Sequence, residues 1–373
     1  MSWVLYLVSM FFTRSKIKKV SDSFFLLAIL SVIAPLTSLY GLDEREIYPV
    51  AITVLSFAVI YGITSFRDSK ISGFPYLVEG RTIALTTSLA SVLIFVGWIF
   101  MSGVVSNANL DFTKVYDFRE TNSAILNVGV GGYFNSWVTK IFNMFLIAFC
   151  LHKKRYMLVS MFVLLQVFFF SVIAVKSVVF YPLLVIGVWY YFRKSNFSIV
   201  IPLLLMIVII MAYSAYFVFD DIRPSSWFIR RAFFVPAELT FVYFEFFSVT
   251  PNVYWSNSIF SNFIEYPYQQ PLSWVVGDFV GTGTHANNGY VSSGYAHFGV
   301  FGVFIYSIIL GIFLKILNRL CYSGIPLWMG VALTVVPFRS LLTNSDLLVT
   351  MMTHGLLLTI VLLTLARTKN EKY

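Results

Sequence analysis

The chain has 373 residues, 58% of them hydrophobic and only 12% charged, with a mean hydropathy of +0.82. No single water-soluble core of this size hides that much apolar surface, whereas a bilayer solvates it. A net charge of +9 points first to nucleic acid or membrane, and its distribution along the chain decides between them.

An apolar opening, 1–12, is short: at ~1.5 Å per residue it covers ~20 Å of a ~30 Å hydrocarbon core. It has no basic stretch before it and no small-residue cleavage site, so a removed signal peptide is not expected. Apolar windows of low charge follow at 24–42, 48–66, 82–104, 134–151, 156–175, 177–192 and 198–219. The interval 220–294 interrupts the series, and windows at 295–316, 324–342 and 346–366 complete it. The expectation is an all-α integral membrane protein of about 11 transmembrane helices, read as one polytopic domain over 1–373. Its two substantial loops are 105–133 and 220–294, the larger between the eighth and ninth helices.

Lysine and arginine fall at alternate connections. The clusters are Arg14, Lys16, Lys18 and Lys19; Arg67, Lys70 and Arg81; Lys153 to Arg155; Arg193 and Lys194; Lys315 and Arg319; and Arg367, Lys369 and Lys372. The positive-inside rule places all of these in the cytoplasm. That gives a periplasmic N-terminus, a cytoplasmic C-terminus and outward loops at 105–133 and 220–294. The positive charge is then a topology signal, and nucleic-acid binding is not expected. Cys150 and Cys321 lie near helix ends and imply neither a disulfide nor a cysteine-ligated metal.

Nine basic residues remain on the outward side: Arg45, Lys114, Arg119, Lys140, Lys176, Arg223, Arg230, Arg231 and Arg339. Arg45 lies in an Asp-Glu-Arg-Glu turn and reads as locally paired. Lys114, Arg119 and Lys140 read as solvated. Lys176, between two apolar stretches, and Arg339, at the end of one, either snorkel to headgroups or hold an anion. Arg230 and Arg231 sit in an aromatic segment suited to the interface. Adjacent helical positions diverge by about 100°, so one arginine of the pair is free to bind a ligand while the other meets protein or lipid. The guanidinium fork matches phosphate oxygens, and several such groups at one face suggest a phosphorylated lipid substrate. Glu238, eight residues beyond Arg230, is expected to pair with that arginine cluster, with sugar binding as its other reading.

The run 277–302 carries four glycines between 277 and 289, which let backbone approach a ligand closely. Asn287 and Asn288 offer the mixed donors and acceptors that sugar hydroxyls need. His285 is the first candidate general base, with Asp278 and His297 behind it. His354, alone in a predicted span, reads as packed or hydrogen bonded. Trp255, Tyr266, Tyr268 and Trp274 offer faces to sugars or to the membrane interface. The sequence suggests no metal and no cofactor.

Three stretches resemble the Wzy-type bacterial O-antigen or capsule repeat-unit polymerases: Ala174-Val175-Lys176-Ser177; Arg230-Arg231 with Phe233 to Ala237; and Gly283 to Gly289 running into Phe298 to Gly302. The resemblance implies a periplasmic-face glycosyltransferase of the inner membrane. Its substrate would be an oligosaccharide on undecaprenyl diphosphate, its surroundings membrane lipid, and a chain-length regulator a candidate partner. Arg230, Arg231, Lys176 and Arg339 would hold the diphosphate, with Arg223 beside them. O-antigen ligases share the layout, and a lipid-linked oligosaccharide flippase is the alternative from another class. A flippase predicts charges in mid-span and paired halves.

Overall fold

The computed structural model describes residues 1–66, 76–111 and 115–367. Among these the protein is all-helical, with no strand and one isolated β-bridge, Lys16 to Phe197. Arg67, Lys70, Lys114, Lys369 and Lys372 lie outside the described residues. Nine helices among the described residues are long and apolar enough to cross a bilayer, and Ser2–Phe12 and Leu327–Thr343 are shorter apolar helices. This is a multi-pass membrane protein. In Val200–Phe219 only 6% of the apolar window is buried within the protein, so nearly the whole circumference of that helix needs lipid.

The chain divides into two compact units. Unit 1 comprises Met1–Ser69, Phe197–Ile316 and Phe338–Leu348. Its first span, Val20–Leu42, begins at a carboxylate cap: Asp22 accepts the backbone N–H groups of Lys18 and Lys19, both at 2.9 Å. A π-helical turn at Ile29–Ile33 precedes Pro35, whose missing N–H and bulky ring disturb the bonds of the turn before it. The turn Ser226–Phe234 stands in the same relation to Pro236. Leu36, Val50, Ala237 and Phe241 form a buried cluster, and Phe24 meets Phe338 edge-on at 5.2 Å.

The interval 220–294 is more structured than a loop. Arg223–Val249 is one helical run of 27 residues that satisfies the length and composition of a span. Its arginines and Glu238 break up the low-charge windows, which is why the hydropathy reading passes over it. Its contacts set its level: Ala237 packs on Leu36 and Val50, and Glu238 meets Arg45, just beyond the end of Val20–Leu42. The middle of the run therefore lies at the ends of neighbouring spans.

Unit 2 comprises Lys70–Asn196, Leu317–Pro337 and Val349–Tyr373. Gly80–Met101, Gly131–His152, Tyr156–Ile173, Lys176–Lys194 and Leu356–Ala366 supply its helices. A Cβ on Gly80 would stand 2.5 Å from the Leu365 carbonyl oxygen, so Gly80–Met101 and Leu356–Ala366 meet backbone to backbone there. Buried amides tie the middle: Asn143 donates to Gln166 at 2.6 Å, and Gln166 donates to the carbonyls of Thr139 and Val178.

Candidate functional site

Unit 1 holds most of the residues singled out from the sequence, and their partners separate them. On the turn Ser226–Phe234, Ile229 is buried while Arg230 and Arg231 are exposed. No carboxylate among the described residues lies within 4 Å of either arginine. Arg223 differs: its fork grips Asp221, Nε to Oδ1 at 2.8 Å and Nη2 to Oδ2 at 3.1 Å. Hydrogen bonds from Arg223 hold the Asp221 carboxyl below its ordinary range, and that fork is already filled. Glu238 pairs with Arg45 at 2.6 Å and not with the arginine cluster. It projects from the helix toward the end of a neighbouring span, away from the preceding turns. Arg45 correspondingly bonds across 193 positions in sequence, with the local Asp43 oxygen farther away at 4.0 Å. Arg339 is exposed in unit 1, and Lys176 opens a helix of unit 2.

The glycine-rich segment folds back on Leu272–Phe279. The N–H of Ala286 donates to the Ser273 carbonyl at 2.9 Å. Gly277 is required there, because a Cβ would fall 1.9 Å from the Thr284 carbonyl oxygen. This return carries His285 to the surface, with its ring 4.4 Å from that of Trp274 and Nδ1 2.9 Å from the Ser273 hydroxyl. Among the described residues, Nε2 of His285 meets no hydrogen-bonding partner. Asp278 and Asn287 are exposed nearby in sequence. Asn288 is buried, and its amide donates to the Pro236 carbonyl at 3.0 Å, to Thr240 at 3.1 Å and to Ser292 at 2.8 Å. Its donors hold the segment onto Val235–Val249, so it serves the frame of the site.

His297 is buried at a break in the helix Tyr290–Tyr322, where Phe298 and Gly299 leave helical geometry and Gly299 has φ of 59°. The segment 252–255 satisfies the backbone freed by the break. Val253 and Tyr254 N–H donate to the carbonyls of Ala296 and His297 at 2.9 and 3.2 Å, and Asn252 donates to Tyr295 at 3.0 Å. The Trp255 N–H donates to His297 Nδ1 at 3.1 Å, which puts the ring proton on Nε2, 3.5 Å from Asp346 Oδ2. Tyr306 donates to the same carboxylate oxygen at 2.8 Å, and Trp255 Nε1 donates to the Tyr306 hydroxyl at 2.7 Å. Burial works against the charged form of Asp346. Hydrogen bonds from His297, Tyr306 and the Leu348 N–H nonetheless hold its carboxyl below the ordinary range.

Both ring nitrogens of His297 are thus engaged, and it has no lone pair to offer an incoming hydroxyl. The sequence reading ranked His297 as a base and passed over Asp346 and Tyr306 entirely. The signal was present: Asp346 is the one acid between Asp278 and Glu371, at the first position of the last predicted span, directly after the polar link 343–345. Among the described residues, no cluster of three His, Cys, Asp or Glu side chains is placed to hold a metal ion. The chain has no match among protein-family models, curated proteins or solved structures.

Proposed function

We propose that this chain is a glycosyltransferase that polymerises oligosaccharide repeat units carried on undecaprenyl diphosphate. It would act at the periplasmic face of a bacterial inner membrane, with 220–294 outward and the C-terminus cytoplasmic. The observation that carries the reading is the contrast among arginines. Arg45 and Arg223 are spent on carboxylates, while Arg230 and Arg231 stand exposed with no acid beside them on a turn of the membrane-associated run Arg223–Val249. Two guanidinium forks at such a level suit a lipid-linked diphosphate.

In the reaction, a hydroxyl at the non-reducing end of one lipid-linked repeat unit attacks the anomeric carbon of the growing glycan. The new glycosidic C–O bond forms as the bond from that carbon to the diphosphate oxygen breaks, and the lipid diphosphate departs with the electron pair. Arg230 and Arg231 stabilise the charge developing on that oxygen, the larger electrostatic contribution. The hydroxyl proton passes to His285 Nε2, whose ring is steadied by Ser273 and Trp274. Arg339, also in unit 1, is a further cation for the same headgroup.

The test is deletion of the gene followed by analysis of the surface polysaccharide. A single repeat unit capping the lipid is expected. Loss of all attached glycan would identify a ligase instead, and loss of every repeat unit from the outer face a flippase. In the intact protein, Arg230→Ala with Arg231→Ala should abolish polymer while protein remains in the membrane, and normal-length polymer would overturn the clamp.

A further inference from the structure

Unit 2 contains a pair of bases with no acid. Lys140 Nζ lies 2.8 Å from His354 Nδ1, 214 positions away in sequence. Lys140 was expected to be solvated; it sits instead in the π-helical turn Val138–Phe142 of the span Gly131–His152. The other two π-helical turns among the described residues precede prolines, and this one does not. A π turn without a proline to cause it commonly marks a side chain placed for use.

The partner side is equally fixed. His354 occupies a break in Leu347–Ala366, held by the Thr353 N–H on the Val349 carbonyl at 2.7 Å and by Trp137 Nε1 on the Met352 carbonyl at 2.6 Å. Gly355 follows with φ of 74°, and a Cβ there would stand 2.5 Å from Ile141 Cγ1. This seats the break against the lysine's own turn.

The hydrogen-bond inventory then points one way. An ammonium only donates, so Nδ1 of His354 accepts and the ring proton lies on Nε2. What remains is the rest of the ammonium N–H groups and the Nε2–H: donors only. No carboxylate among the described residues lies within 4 Å of Lys140 or His354. Lys140 is nine residues into its span, ~13 Å along the helix, and Tyr133 and Trp137 mark the turns before it. Those rings suit the headgroup level of a bilayer, and a lysine just below it reaches headgroup phosphates by extending its stem.

We propose that Lys140 and His354 form a binding site for a phosphate group, from a membrane-lipid headgroup or free in solution, separate from the arginines of unit 1 and independent of which transfer reaction the protein performs.

The test uses the full-length protein in a phosphate-free maltoside detergent, titrated calorimetrically with inorganic phosphate and with dioctanoyl phosphatidic acid. Saturable binding of at least one probe is expected. Equal affinity for the two assigns the site to free phosphate, and at least about tenfold tighter phosphatidic acid assigns it to a lipid headgroup. Lys140→Met should weaken binding at least about tenfold through loss of charge-assisted hydrogen bonds. Lys140→Arg should stay within about threefold, since the donors persist, and His354→Asn should weaken binding about three- to tenfold. The titrations are repeated in the Arg230→Ala, Arg231→Ala protein, where the proposed clamp no longer takes up the probes: saturable binding that Lys140→Met weakens at least about tenfold is expected to remain, and loss of all binding there overturns the proposal. Failure of both probes to bind the parent, or parental affinity in Lys140→Met, overturns the proposal. If Lys140→Met does not fold, parental affinity in His354→Asn overturns it.

Discussion

Two histidines stand at helix breaks, each beside a glycine of positive φ, Gly299 for His297 and Gly355 for His354. Their surroundings assign them opposite parts. His297 is buried, with its lone pair taken by a backbone N–H and its N–H turned to a carboxylate that Tyr306 also holds. Every polar atom of that cluster meets its complement, so it fastens the helix break and the segment 252–255 together. His354 faces a lysine and no acid. Its hydrogen bonds leave a surplus of donors, and a surplus needs a ligand. What decides a histidine's role at a break is the balance of donors and acceptors around it.

The comparison is sharpened first through His285, which the proposed reaction uses as its base. His285→Ala should slow polymer formation by ~10²–10⁴-fold in the purified enzyme with lipid-linked repeat units, as expected for loss of a general base. His297→Gln should leave turnover per folded molecule within about threefold of the parent, well short of such a loss. A rate in His285→Ala also within about threefold would remove it from catalysis. Next in size, Asp346→Ala leaves His297 and Tyr306 facing an empty acceptor. It should destabilise the protein by ~2–3 kcal/mol, read as a lowered melting temperature in detergent. An unchanged melting temperature would show the cluster to be dispensable to the fold.

Asp346 also predicts a pH dependence. Its carboxyl is held below the ordinary range in the folded protein. The stability it contributes is therefore fully present above the unfolded value of about 4. It is lost as pH falls through the lower folded value. Melting temperatures of the parent and Asp346→Asn should converge as pH falls through that lower folded value, since protonation removes the same charge. A gap that persists there would show that the charge is not what stabilises. The smallest effect belongs to Trp255→Phe, which removes the Nε1–H bond to Tyr306 but keeps the backbone N–H on His297. It should cost about 1 kcal/mol, and a larger loss would move the weight of the cluster from the carboxylate to the indole.

The long apolar helices were legible because a low-charge stretch of about 20 residues has few alternatives to a membrane helix, although the predicted span 177–192 forms the helix Lys176–Lys194 without being among the nine candidate spans. Arg223–Val249 was not, since Arg230, Arg231 and Glu238 interrupt its hydropathy and Arg45, the partner of Glu238, is 193 positions away. A separation of 214 positions likewise hid the Lys140–His354 pair, whose members read separately as a solvated lysine and a packed histidine. Asn288 looked like a sugar contact because amide chemistry is visible in sequence, while the carbonyl and hydroxyls that absorb its donors are not. For His285 and the arginine pair the sequence offers residue type and position alone, and the fold adds which of their neighbours are already partnered.

The docking of 252–255 on the helix break also bears on how the chain enters the membrane. An exposed break is costly in hydrocarbon, where an unpaired carbonyl has no water to turn to. The partners of the Tyr295, Ala296 and His297 carbonyls come from residues about 40 positions earlier. Because synthesis runs from the N-terminus, that segment has already been made when Tyr290–Tyr322 reaches the bilayer, and the break can be covered as it arrives. A circular permutant that moved 250–271 behind the last helix would reverse this order. It would expose a half-made helix to lipid for the time needed to synthesise the rest of the protein.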